Sequence, residues 1–170
     1  MRRTMIGCIV SLALGFLAAP CRTDAQHVVF LVRHAEQASG ANGDAPLTET
    51  GERRARALAT VLKDAGLTAI YVSESQRTMQ TAEPLAQALQ IEPTRLPRRD
   101  IEGLINRVRT QHADGRVLIV SHALTIPHVL KAFGHLEEVM IQREEYDRLF
   151  VIVPKPTGPP LVFVLRFSGG

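Results

Sequence analysis

From His27 onward the chain alternates short apolar runs with segments whose apolar residues recur at helical spacing. His27 to Arg33 (HVVFLVR) is β-branched and apolar, the composition of a buried strand. Residues 35–47 hold Gly40, Asn42, Gly43 and Pro46 and read as a loop. Thr48 is placed to cap a helix carrying Leu58, Val61, Leu62 and Ala65 on one face, with Gly66 as its C′ residue. Ala69 to Ser73 (AIYVS) is a second strand. Ala82, Leu85, Ala86 and Leu89 mark a second helix, in which Pro84 should distort the preceding turn. Pro93 and Pro97 bound a short extended stretch, and Ile101, Leu104, Ile105 and Val108 form a third helical stripe, closed by Asp114-Gly115. Val117 to Ser121 (VLIVS) is a third buried strand, and Thr125 can cap a helix that tolerates Pro127 in its first turn. Phe150–Val153 and Leu161–Phe167 are two further strand-like runs joined by a Pro/Gly-rich turn.

This order predicts an α/β fold: a three-layer sandwich with a mostly parallel sheet, helices on both faces and an antiparallel C-terminal edge hairpin. Residues 26–170 show no repeat, low-complexity tract or linker, and read as a single domain. Residues 1–25 read differently. Arg2 and Arg3 precede an apolar run from Met5 to Ala19, shorter than a membrane span requires, and Thr23-Asp24-Ala25 offers a cleavage site before Gln26. A cleaved signal peptide is therefore expected, with export to a compartment such as the periplasm. The alternatives are a retained N-terminal anchor and lipid attachment at Cys21, which Pro20 immediately before it disfavours.

Removing that segment changes the composition in two ways. It takes both cysteines, Cys8 and Cys21, and leaves a chain with no disulfide or thiolate ligand. It also takes Arg2, Arg3, Arg22 and Asp24, leaving 17 basic against 16 acidic residues. Such a balance gives no case for nucleic acid, but it leaves room for a small anion.

The candidate chemistry lies at strand ends. The first strand ends in Arg33-His34 and the third in Ser121-His122, while the second leads through Ser73 and Ser75 to Arg77 at a helix start. In an open α/β sheet the carboxyl ends of parallel strands share one edge, where ligands bind. Two histidines and two arginines on that rim could hold a phosphoryl group, with a neutral imidazole as nucleophile and guanidinium forks on the oxygens. Taken singly, a strand-end histidine is more often a hydrogen-bonded structural residue, and a helix-start arginine a solvated charge. His112, His128 and His135 lack metal-ligand spacing and read as surface or capping residues; Arg53, Arg54 and Arg56 read as a solvated helix face. Gln37 and Asn42 could line the pocket from the loop. No serine-hydrolase elbow or phosphate-binding loop of the P-loop type occurs.

Four motifs in order carry a resemblance: Leu31-Val32-Arg33-His34-Ala35-Glu36, Pro46-Leu47-Thr48-Glu49-Thr50-Gly51, Ser73 to Ala82, and Val117 to His122. Together they resemble the histidine phosphatase superfamily, the phosphoglycerate-mutase-like proteins, and the segment Glu145 to Phe150 resembles its short exported members. The resemblance implies that His34 is the phosphorylated nucleophile, Arg33 and Arg77 bind phosphate, and His122 hydrogen-bonds the transferring group. Ala35 stands where the commonest signature has glycine. For the acid that protonates the leaving group, Asp100 is the nearest match, with Glu102 and Glu36 as alternatives.

The expectation is an exported phosphatase acting on phosphate monoesters through phosphohistidine, with no cofactor and no metal. Its substrate would be a phosphorylated small molecule or an envelope component. The short loops favour hydrolysis over mutase chemistry. The rivals are a phosphohistidine phosphatase acting on proteins and an inactive anion-binding module on the same fold.

Overall fold

The computed structural model describes residues 27–39 and 44–168. The expected signal peptide, and Asn42 of the loop, lie outside the described residues. Six strands form one sheet in the order β3-β2-β4-β1-β5-β6: β1 (Val28–Arg33), β2 (Ala69–Ser73), β3 (Thr94–Leu96), β4 (Arg116–Ser121), β5 (Arg148–Val153) and β6 (Leu161–Arg166). β1, β2, β3 and β4 are parallel to one another; β5 runs antiparallel to β1, and β6 antiparallel to β5. The expected α/β sandwich with its antiparallel edge hairpin is the observed fold.

Alternation along the central strands builds two cores, because successive side chains point to opposite faces. Val29 and Leu31 of β1, Ala69 and Tyr71 of β2, and Val117 and Ile119 of β4 meet α3 (Ile101–Gln111) and α4 (Ile126–Ala132) through Leu104, Ile105, Val108, Ile126, Val129 and Leu130. Val32, Ile70, Val72, Leu118 and Val120 pack on the other face against α1 (Glu49–Leu62) and α2 (Gln76–Leu89), through Leu58, Leu62, Ala82, Leu85 and Ala86. Uniformly apolar strands are what a sheet covered on both faces needs. Among the described residues no helix is long and apolar enough to cross a membrane.

Several local expectations change. α1 stops at Leu62 with Lys63 as its C-cap, and Gly66 lies three residues later at φ 69° in the turn toward β2. The buried face of α1 is Gly51, Ala55, Leu58 and Leu62; Val61, expected inside, is half exposed. α2 runs through Pro84 as one helix. Thr125 caps α4 by position, without a side-chain bond, whereas the Thr48 hydroxyl accepts the Gly51 N–H at 3.1 Å as expected of an N-cap. β6 leaves Leu161, Phe163, Val164 and Leu165 about half exposed on the free edge of the sheet.

Candidate active site

β1 and β4 are parallel neighbours in register, with Arg33 opposite Ser121. Their continuation is tied as well, because the His34 N–H donates to the Ser121 carbonyl at 2.9 Å. The two strand-end histidines are thereby held side by side, with ring centroids 5.2 Å apart. β2, on the far side of β4, delivers Ser73 and then Arg77 in the first turn of α2. Arg33, His34, Arg77 and His122 all line one cleft of about 530 Å³ above the carboxyl ends of the strands. The four residues implied by the motifs are brought together.

Hydrogen bonds define the state of each histidine. His34 Nδ1 lies 2.8 Å from the Ala35 carbonyl, which can only accept, so the proton is on Nδ1 and Nε2 keeps its lone pair. Burial, with the Arg77 and Arg33 charges adding to it, lowers the His34 pKa to about 4 against the opposing pull of that carbonyl. His34 is thus a neutral imidazole at neutral pH, with a free nucleophilic nitrogen.

His122 is held the other way round. Arg77 Nη2 lies 3.3 Å from His122 Nδ1, and since a guanidinium only donates, Nδ1 accepts. His122 Nε2 then donates to Ser73 Oγ at 2.8 Å. Ser73 passes its own proton toward Thr78 Oγ1 at 3.0 Å, and the Thr78 hydroxyl donates to the Ser75 carbonyl at 2.7 Å. Burial first, then His34 and the Arg77, Arg98 and Arg33 charges, lower the His122 pKa to about 3.

Arg33 is braced rather than loose. Its Nη1 donates to the carbonyls of Gln142, Arg143 and Glu145 at 3.1, 2.8 and 2.9 Å, and its guanidinium lies 3.8 Å from the Tyr146 ring centroid. Tyr146 also meets the His34 ring edge-on at 6.0 Å. Arg77 lies 3.7 Å from the Asp44 carboxylate, which also accepts the Gln76 N–H at 2.8 Å.

The remaining motif residues are the frame. Ala35 donates its N–H to Thr81 Oγ1, and Thr81 donates to the Arg77 carbonyl, at 2.9 and 2.7 Å. Gln80 Oε1 accepts the Leu47 N–H at 2.8 Å. The Ala35 methyl is buried with Leu47 and Ala55, so the departure from glycine fills a small apolar pocket. Gly51 is required because a Cβ there would overlap the Glu36 carbonyl oxygen.

None of the three acid candidates lines the cleft. Asp100 is exposed and caps α3, its Oδ1 accepting the Gly103 N–H at 2.9 Å; Glu102 is exposed in the first turn of that helix. Glu36 accepts two bonds from Arg54 Nε at 2.9 Å and one from Nη2 at 2.6 Å. Against the cost of burial, Arg54 holds that carboxyl below the usual carboxylate range. Arg54 was expected on a solvated face with Arg53 and Arg56; instead it joins Glu36 to the Phe167 carbonyl. His128 is exposed, as expected of a surface residue, and lines the cleft, as do Arg98, Arg99 and Leu124. His112 fits its capping role, as the C-cap of α3 with Nε2 3.0 Å from the Tyr71 hydroxyl. Gln37 is exposed and bridges to Leu47. Tyr146 lies in the Glu145 to Phe150 segment that carried part of the resemblance, but no role was read for it, nor for Arg98 and Arg99; the fold places them here.

The family model described as the histidine phosphatase superfamily (branch 1) matches residues 29–102, which hold Arg33, His34 and Arg77. Over these residues the chain is similar to the histidine phosphatase superfamily. A protein named "Probable phosphoglycerate mutase GpmB" from Escherichia coli is 44% identical over 66 residues, 35% of this chain and 31% of the relative. The protein of that name from Yersinia enterocolitica is 40% identical over 76 residues, 41% and 35% of the two chains. The matched stretch thus spans about a third of the length of these relatives. Among solved structures, the protein histidine phosphatase SixA complexed with tungstate superposes with a TM-score of 0.68 at 21% identity, covering 84% of this chain and 97% of that one. A mycobacterial glucosyl-3-phosphoglycerate phosphatase with inorganic phosphate gives 0.66 at 14%, covering 84% and 98%. At these identities the superpositions show a shared fold.

Proposed function

We propose that this protein is an exported phosphatase that hydrolyses phosphate monoesters through a phosphohistidine on His34. The observation that carries the reading is the neutral His34, its proton held on Nδ1 by the Ala35 carbonyl and its Nε2 free among Arg33, Arg77 and His122. In the first step the Nε2 lone pair forms the N–P bond as the bond from phosphorus to the leaving oxygen breaks. Arg33 and Arg77 balance the charge on the phosphoryl oxygens, a role metal ions fill in other enzymes. The leaving oxygen takes up a proton as that bond breaks; Asp100, the nearest sequence match for the acid, caps α3 outside the cleft lining, so water is the proton donor the site leaves in place. Water then attacks phosphorus, loses a proton, and releases phosphate and free His34.

The absence of a carboxyl among the described residues that line the cleft favours a second reading. A leaving group less basic than an alkoxide, such as the imidazole of a phosphohistidine, needs less help from an acid. A phosphohistidine phosphatase would use the same nucleophile and the same arginines. Export is supported by residues 1–25 as a sequence pattern.

The test is phosphate release from 4-nitrophenyl phosphate with excess chelator, from about pH 4 to about pH 8, beside His34→Ala. Chelator-resistant turnover that disappears in the variant is expected, with an acid-labile, base-stable phosphoenzyme in the wild type. Unchanged turnover in His34→Ala would sink the nucleophile assignment.

A further inference from the structure

We propose that β6 carries a homodimer: two copies of this chain pair their β6 edges antiparallel and continue one sheet into the other. The inference stands on the edge itself and does not depend on the phosphatase reading.

The sheet has two edges, and the fold treats them differently. β3, at one edge, has three residues, carries Arg95 and lies between Pro93 and Pro97, all features that blunt pairing with another strand. β6, at the other edge, has six residues and no proline. It pairs with β5 in unbroken register from Arg148↔Arg166 to Val153↔Leu161. Its outer row of N–H and C=O groups is therefore a straight template for a further strand. The one charge in β6, Arg166, is already neutralised, with Nη1 2.8 Å from both Asp147 carboxylate oxygens.

Of the eight large apolar side chains exposed among the described residues, six gather here: Leu161, Phe163, Val164 and Leu165 on β6, with Leu136 and Met140 on the segment beside it. That segment is fixed along the hairpin. Arg148 Nη1 donates to the Met140 carbonyl at 3.2 Å, and Val139 and Ile141 pack on the same core as Val162. The patch offers on the order of 600 Å² of apolar surface per copy, against about 800 Å² per partner in a standard stable interface.

A second copy is the occupant that the pattern fits. With a two-fold axis through Phe163, that residue meets its own counterpart, Leu161 faces the partner's Leu165, and Val162 faces the partner's Val164. Every one of these opposed pairs is apolar. The two Arg166 residues go to opposite ends of the interface, each toward the partner's Pro160, so no like charges meet. The partner's β5–β6 turn, with Lys155, is brought toward the end of the hairpin that holds Glu144, Glu145 and Asp147. Because β6 runs parallel to β1, antiparallel pairing points the two clefts toward opposite ends and leaves both open.

The test is sedimentation equilibrium from about 1 μM to about 100 μM. The wild type should show a monomer–dimer equilibrium. Phe163→Lys, which sets two ammonium groups together at the axis, should weaken it by about hundredfold or more, and Leu165→Glu should weaken it as well. Thr94→Lys, on the β3 edge, should leave it unchanged. Phe163 and Leu165 are half exposed, so both variants should keep a cooperative unfolding transition by circular dichroism. The wild-type midpoint should rise with concentration and theirs should not. Hydrogen exchange needs no variant: β6 amides should gain protection as concentration rises. A monomer across the whole range, or a dimer that survives Phe163→Lys or is lost in Thr94→Lys, would overturn the inference. So would slow β6 exchange in a monomer, which would give the edge to residues 1–26 of the same chain. A monomer that cosediments with anionic lipid vesicles only while Phe163 is present would give it to a lipid surface instead.

Discussion

His122 Nε2 donates to Ser73 Oγ at 2.8 Å, which leaves Nδ1 as the nitrogen turned toward Arg77. Ser73 is not among the residues lining the cleft; it sets the ring that is. Ser73→Ala should lower kcat by about tenfold or more while moving KM less, because a slight misplacement of a reacting group is felt mainly in the chemical step. Ser73→Thr, which keeps the hydroxyl, should recover much of the loss. Equal kcat in Ser73→Ala would show that His122 holds its orientation without help.

In the proposed mechanism Arg77 acts in both phosphate binding and the transition state. Arg77→Gln should reduce kcat/KM for a simple aryl phosphate by about 10²-fold or more, with both parameters affected. Steady-state kinetics on folded protein checks this. A pure KM effect would confine Arg77 to ground-state binding.

Glu36 was one of three acid candidates, and its contacts assign it another task. Glu36→Gln should cost about 1–3 kcal/mol of stability, since Arg54 loses a partly buried ionic partner. The folded fraction should keep its kcat. A fall in kcat with an unchanged melting temperature would return Glu36 to the acid role.

Acid should weaken the fold through the two histidines. Their folded pKa values, about 4 for His34 and about 3 for His122, lie below the ordinary 6.5, so the unfolded chain binds more protons between these limits. Stability must then fall as the pH drops from about 6.5 toward 3, and rise again with pH. Denaturant midpoints measured across this range should show the slope, and His34→Gln/His122→Gln should flatten it.

Gly51→Ala tests the frame alone. The added methyl would press on the Glu36 carbonyl oxygen in the loop that follows His34. A loss of about 1–3 kcal/mol is expected from forced overpacking, read by thermal unfolding.

Much of the site was legible because it follows from strand direction. Arg33-His34 and Ser121-His122 end parallel strands, so apolar runs alone put both histidines on one rim. What stayed hidden depends on contacts between distant segments. Arg54 looks like its neighbours Arg53 and Arg56 until Glu36 and the Phe167 carbonyl are placed beside it. Tyr146 reaches His34 from more than a hundred residues away; its segment carried a resemblance, but only the fold sets its ring against the histidine. Val61 shows the converse limit: spacing put it on the apolar face, but the helix turned it outward while Ala55 took an inward place. Thr81 and Gln80 belonged to a motif whose pattern was visible, yet only their bonds to Ala35 and Leu47 explain why those residue types are there.

The bond from the His34 amide to the Ser121 carbonyl extends the pairing of the two central strands by one more rung. His34, the proposed nucleophile, therefore cannot be released by fraying of a loop; it goes only when β1 and β4 part. Its amide should exchange with solvent as slowly as those of the sheet centre. On heating, loss of activity and loss of the fold should then follow a single time course.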